Sequence, residues 1–153
     1  MLRGFLLGDG QFACFNGAAQ SDPVRIDAAL KASEAKGWAV TNSPHTRFQR
    51  LTSRRTILIM DVGAPPNNPT PTMGCAGTLS FELSISKQRL VVNCGVPKSG
   101  HQKMMSAFRG TAAHSTLTPA DINSSQISEV GGFGPRVAER VETLRREIDK
   151  TTR

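Results

Sequence analysis

Few side chains in this sequence are of the types that acid–base catalysis or metal binding requires. The histidines and cysteines are His45, His101, His114, Cys14, Cys75 and Cys94. His45 and His101 lie in loop-like contexts, whereas His114 opens a short alternating segment, so that its ring can project from a strand end into a cleft. From the residues alone, His114 is either a structural or a functional histidine, and both interpretations stay open.

A zinc site is one chemistry that these residues can form together. Cys75 and Cys94 flank the best predicted hairpin and can therefore approach His114 in the fold. Thiolate, imidazole and carboxamide or carboxylate groups all bind zinc. No Cys-x-x-Cys or His-x-x-x-His spacing supports such a site, and the alternative is that the cysteines are small buried hydrophobic residues. Neither a phosphate-binding loop nor a nucleophile elbow is recognisable.

Composition restricts the class of partner. The chain has 153 residues, with 19 Lys and Arg against 12 Asp and Glu, and a formal net charge of +7. This charge suits a polyanion such as nucleic acid, an acidic polysaccharide or an anionic surface. The basic residues are dispersed and no aromatic stripe accompanies them, so a mildly basic solvated surface is the simpler interpretation. No apolar run approaches about 18 residues, which predicts no membrane-spanning helix, and the apolar stretch near the N-terminus is expected to be too short for the hydrophobic region of a signal sequence.

The elements that must position these residues are mostly strands. The predicted strands are Gln11–Asn16, Thr56–Val62, Thr78–Ser86, Arg89–Cys94 and His114–Thr118. The clearest of them, Thr78–Ser86, alternates between apolar and polar residues. One face carries Leu79, Phe81, Leu83 and Ile85, and the other carries Ser80, Glu82, Ser84 and Ser86. This alternation predicts a half-buried antiparallel strand, whose apolar face is expected to be the buried one.

One short helix is predicted near Asp22–Lys36. Asp22 and Pro23 are typical of a helix start, and Gly37 is typical of a helix end. Ala64–Pro71 contains four prolines and is predicted to be an exposed loop. Asp121–Gly134, polar and glycine-rich, is also predicted to be loop.

Five stretches, taken in order, resemble the heparinase II/III-like family of polysaccharide lyases. They are Asn42–His45 with Phe48–Leu51, Met60–Pro66, Cys75–Leu83, Arg89–Gly95 and Phe108–Thr116. Their order and spacing fit the family, and together with an opening segment that suits its bacterial branch they cover most of the chain. The resemblance implies an all-β fold, an antiparallel and partial β-sandwich with one short helix near the N-terminus. On this basis residues 1–153 are expected to be part of the C-terminal β-sheet domain, truncated at both ends.

The resemblance also implies a reaction. The family cleaves uronic-acid-containing polysaccharides, such as glycosaminoglycans, by β-elimination: a base removes the C5 proton, and an unsaturated uronosyl end results. A helical toroid domain precedes the β domain and supplies most of the acid–base groups, including a Tyr or His, whereas this chain has no Tyr. The chain alone is therefore expected to be inactive.

The partners implied are an acidic polysaccharide and the toroid domain of the parent enzyme, and neither nucleic acid nor a membrane. The family suggests a periplasmic or secreted location. The alternative function is a non-catalytic glycan-binding or structural β-sandwich module. A nucleic-acid-binding domain, supported by charge alone, is a third and weaker reading.

Specific positions follow from the family's pattern. Its β domain carries a His-x-His pair, of which the first His is associated with catalysis and the second with a structural metal. In this sequence the catalytic position is Met73, which cannot transfer protons, so no catalytic residue is assigned. The metal positions correspond to Cys75, Asn93 and His114, of which only His114 is retained, and zinc is the metal that these groups suit best.

The segment 136–150 is ambiguous. Val137, Val141, Leu144 and Ile148 are spaced as on the apolar face of a helix. The resemblance instead implies that Val137–Leu144 is a strand of the sandwich, and this reading is slightly preferred because tertiary context overrides local periodicity.

Overall fold

A five-stranded antiparallel sheet is the centre of the fold. The computed structural model describes residues 2–34, 37–64, 74–96, 104–129 and 135–137. The strands of the sheet are β1 (Asn42–Ser43), β2 (Phe48–Ser53), β3 (Thr56–Asp61), β4 (Phe81–Ile85) and β5 (Gln88–Val91), and they are neighbours in that order. A separate antiparallel pair is formed by β6 (Ile127–Glu129) and β7 (Pro135–Val137). The all-β antiparallel prediction is therefore confirmed.

The helices in the described part of the chain are few and short. The helix α1 spans Pro23–Ala32, and α2 spans Met105–Arg109. The predicted N-terminal helix is confirmed with its start signal, because the side chain of Asp22 accepts a hydrogen bond from the Val24 amide at 2.9 Å. Single 3₁₀ turns occur at Leu2–Phe5, Thr111–Ala113 and Pro119–Asp121. No helix in the described part of the chain is long and apolar enough to cross a membrane.

The N-terminal segment before α1 lies across one face of the sheet. Leu7, Ala13 and Phe15 from this segment form the main apolar cluster with Ile59 of β3. The prediction of a strand at Gln11–Asn16 is wrong, since only an isolated bridge pairs Phe12 with Leu6. The segment crosses the strands instead of running beside one, so some of its amides must find side-chain acceptors rather than a ladder.

The strand predicted at Thr78–Ser86 exists, but its buried face is the polar one. The side chains of Ser80, Glu82 and Ser84 are fully buried, whereas Leu79 is 56% exposed and Ile85 is 44% exposed. The pairing of β3 with β4 places Glu82 opposite Ile59, on the face that the N-terminal segment covers. The polar face is buried because it supplies the acceptors that this segment needs.

Four other predictions have different outcomes. His114–Thr118 is not a strand: its hydrogen bonds to other segments form no ladder, as where Phe81 donates to the Ser115 carbonyl at 3.2 Å and the Ser115 amide donates to Asn93 Oδ1 at 2.8 Å. Asp121–Gly134 is not all loop, because it contains β6. In the ambiguous segment 136–150, β7 extends as far as Val137, and the rest lies outside the described residues. The Ala64–Pro71 loop also lies almost wholly outside them.

Candidate functional site

Of the positions assigned through the resemblance, three are described. Met73 lies outside the described residues. Cys75 and Asn93 are buried, with 3% and 5% of their surface exposed, and His114 is half-buried. Asn93 and His114 lie close together, since the Asn93 Oδ1 accepts a hydrogen bond from the Ser115 amide at 2.8 Å.

His114 has the environment of a neutral imidazole that is hydrogen-bonded through one ring nitrogen. Its Nδ1 lies 2.9 Å from the Gly110 carbonyl oxygen. A carbonyl can only accept, so Nδ1 carries the proton and Nε2 is the unprotonated nitrogen of the neutral ring. Burial lowers the pKa of His114, although the contact with Gly110 opposes the shift. Metal-binding histidines use this arrangement, in which one nitrogen donates to a carbonyl and the other faces the ion.

The other two assigned positions are less suited to an ion. The Asn93 oxygen is already engaged by the Ser115 amide. Burial raises the pKa of the Cys75 thiol to about 11, against a smaller lowering by the Arg109 charge, so the group is a thiol and not a thiolate at neutral pH. Among the described residues, no three His, Cys, Asp or Glu side chains form a group that can hold a metal ion. Zinc binding therefore remains a prediction.

Asp61, at the end of β3, is a buried carboxylate that sequence reasoning did not single out. Its Oδ1 accepts from the Gly63 amide at 2.9 Å, and its Oδ2 accepts from Asn16 Nδ2 at 3.2 Å. Burial nevertheless raises the pKa of Asp61 from 3.8 to about 6. The contact of Asp61 with Gly63 could be anticipated locally, because an acid lies two residues before a glycine. The contact with Asn16 could not, because Asn16 lies far away in the sequence.

Asp61 is expected to make stability depend on pH. A carboxyl whose pKa is higher in the folded state stabilises the fold fully below its unfolded pKa of 3.8, and this contribution is lost as the pH rises through about 6. Replacing Asp61 by Asn should remove this dependence, which is worth up to about 3 kcal/mol. The check is urea unfolding of both proteins between about pH 4 and pH 7. An unchanged slope of unfolding free energy against pH in Asp61→Asn would contradict the assignment.

The second buried carboxylate, Glu82, joins the N-terminal segment to β4 and β5. Its Oε1 accepts from the backbone amides of Cys14 and Asn93, both at 3.0 Å. Its Oε2 lies 3.3 Å from Nη1 of Arg89, whose Nε donates to Asp9 at 2.8 Å. Burial raises the pKa of Glu82, while its hydrogen bonds and Arg89 act in the opposite direction. We refer to Asp9, Glu82 and Arg89 as the polar latch.

Two surface pockets differ in charge. One of about 800 Å³ lies beside the polar latch and is lined by Arg89 and Asp22, among others. The charge of Arg89 is compensated there, because Asp9 and Glu82 both contact its guanidinium. A second pocket, of about 440 Å³, lies beside Trp38 and is lined by Arg3 and Arg50, with no acidic residue among the described residues around it. Only the second suits an anionic ligand.

Comparison with known proteins shows which family and which solved structure this chain is similar to. Residues 35–153 match the family model described as "Heparinase II/III-like, C-terminal". The chain is 35% identical over 119 residues to FtsZ-localized protein C of Caulobacter vibrioides (strain NA1000 / CB15N). The aligned region covers 78% of this chain and 20% of the relative. A structure titled "Crystal Structure of Heparinase III" superposes with a TM-score of 0.59 at 12% identity, covering 84% of this chain and 27% of that one. At that identity the superposition shows the fold alone, and the chain spans only a minor part of either protein.

Proposed function

The chain belongs to the heparinase II/III-like, C-terminal family, and on that premise we propose that residues 1–153 form a β-sheet module that binds an acidic polysaccharide. The observation that carries the proposal is the family match over residues 35–153. The net charge of +7 supports it, because a cationic surface attracts polyanionic chains. In this proposal the glycan contains uronic acid, as in heparin-like glycosaminoglycans.

In the parent protein, cleavage would proceed by β-elimination, with a base that takes the C5 proton and donors that stabilise the developing enolate. This chain contributes little to those roles. Met73 at the family's catalytic position cannot accept a proton, and the chain contains no Tyr that could act as the acid–base group. We therefore propose that the chain binds glycan without cleaving it, and that a helical toroid domain supplies the acid–base groups.

The test combines a binding assay with a cleavage assay on the isolated chain. We expect retention on immobilised heparin, elution that shifts with salt, and no retention on neutral dextran. We also expect no increase in the ultraviolet absorbance of unsaturated uronosyl ends. Retention on dextran equal to that on heparin would contradict acidic-glycan binding, and cleavage by the chain alone would contradict its inactivity.

A second candidate is a non-catalytic module in a protein of the cell-division apparatus. It is favoured by one observation, the 35% identity to a relative named for its localisation with FtsZ. Co-sedimentation of the chain with FtsZ polymers tests this function. Sedimentation that depends on polymerised FtsZ would support it, and a chain that stays in the supernatant would exclude it.

Zinc at Cys75, Asn93 and His114 is proposed as a structural element of the same module. A metal that binds only the folded chain raises its melting temperature. We therefore expect zinc to raise the melting temperature of the chain and His114→Ala to remove the increase. His45→Ala, a loop histidine, is the matched control and should keep it. A melting temperature that does not respond to zinc would contradict this proposal.

A further inference from the structure

Trp38 is unusually exposed for its residue type. Its side chain is 97% exposed, and it is the only tryptophan in a chain that contains no tyrosine. A tryptophan normally buries most of its large apolar surface against the protein or a partner. An indole that projects into water beside a pocket therefore presents a flat surface on which a ligand ring can stack.

The pocket beside Trp38 is small and positively charged. Its volume is about 440 Å³, and its walls include Leu6 and Leu7 in addition to Arg3 and Arg50. We refer to it as the Trp38 pocket. This volume lies at the lower end of the range for small-ligand sites, which suits one or two sugar rings.

Arg50 is held rigidly at this pocket. Its Nη1 donates to the carbonyl oxygens of Gly4 at 3.2 Å and Leu6 at 2.6 Å. Burial lowers the pKa of Arg50, since its charge is partly removed from water. No carboxylate among the described residues forms an ion pair with Arg50. The charge of Arg89 is neutralised by Asp9 and Glu82, whereas Arg50 has no such carboxylate among the described residues. An anionic ligand would compensate the charge of Arg50.

We propose that the Trp38 pocket binds one acidic sugar unit, with the ring stacked on the indole of Trp38 and its carboxylate or sulfate ester held by Arg3 and Arg50. The inference rests on the proposed function, in which the partner is an acidic glycan, and it specifies where that glycan is held. A single aromatic platform over a small pocket fits a sugar better than nucleic acid, whose successive bases require several aromatic side chains.

Intrinsic fluorescence can test this proposal directly, because the chain contains a single tryptophan. Because Trp38 is the only indole and tyrosine is absent, the intrinsic fluorescence of the chain reports on this site alone. A heparin-derived hexasaccharide should change that fluorescence on titration, whereas a neutral maltohexaose should not. The affinity obtained from fluorescence should equal that obtained by isothermal calorimetry.

Variants separate this site from the rest of the surface. We expect Trp38→Ala to weaken hexasaccharide binding by calorimetry about tenfold, and Leu117→Ala, at another exposed apolar side chain, to leave it unchanged. Arg3→Gln should weaken binding more than Arg54→Gln, which removes an equal charge from an exposed hairpin turn. Trp38→Ala should keep the parent melting temperature, because the side chain it removes is exposed.

Each outcome has a defined meaning. Calorimetric binding of the hexasaccharide with unchanged fluorescence and an unaffected Trp38→Ala would overturn the Trp38 pocket and leave glycan binding intact. No calorimetric binding of the hexasaccharide would overturn the proposed function together with this inference. A tighter, Trp38-dependent response to single-stranded DNA would overturn the choice of a sugar as the ligand.

Discussion

Replacement of Glu82 by alanine is expected to destabilise the chain by about 3–5 kcal/mol, the cost typical of removing one partner of a buried ion pair. The side chain is fully buried, and its loss would leave the amides of Cys14 and Asn93 without their acceptor. It would also leave Arg89 with Asp9 as its remaining carboxylate. Urea unfolding monitored by circular dichroism measures the effect.

Two variants control for this result. Glu82→Gln keeps an oxygen for the two amides but loses the charge opposite Arg89, so it should be less destabilising than Glu82→Ala. Asp27→Asn removes an exposed carboxylate that pairs with Lys31 on the surface of α1, and it should change stability by less than about 0.5 kcal/mol. If Glu82→Ala were as mild as Asp27→Asn, the polar latch would not hold the N-terminal segment.

Gly8→Ala is expected to destabilise the chain by about 3 kcal/mol or more, because the backbone leaves no space for a side chain there. A Cβ at Gly8 would lie 1.6 Å from the carbonyl oxygen of Ser86, in the turn between β4 and β5. The required shift would also break the hydrogen bond from the Gly8 amide to Ser84 Oγ, which is 3.0 Å long. The measurement is the change in unfolding free energy.

Gly37→Ala is the matched control, since a Cβ at that position has no atom within 4 Å apart from those of the residue itself and its two chain neighbours. It should be neutral or slightly stabilising, because alanine restricts the unfolded chain. Equal stability of Gly8→Ala and Gly37→Ala would show that the N-terminal segment does not pack against the β4–β5 turn as described.

The position of a strand was easier to predict from the sequence than which of its two faces is buried. Alternation along Phe81–Ile85 correctly indicated a strand, but a period of two is the same whichever face is buried. The choice depended on the N-terminal segment, whose amides are accepted by Glu82 and Ser84 about 70 residues away in the chain. Such long-range hydrogen bonds leave no local signal, so the polar face was predicted to be solvent-exposed.

The same limit applies to the candidate site. His114 was singled out because its type and its family position both indicate chemistry. Arg50 was not, because its importance comes from contacts with Gly4 and Leu6, more than 40 residues earlier in the chain. Trp38 does carry a local signal, because it is a lone tryptophan in a polar stretch before the first strand.

The most direct test of the proposed glycan binding is isothermal calorimetry of the chain with a heparin-derived hexasaccharide, at low and at physiological salt. We expect saturable binding that weakens as salt screens the charges, with no heat from maltohexaose at either salt concentration. No heat from the hexasaccharide, or equal affinity for the neutral sugar, would contradict it.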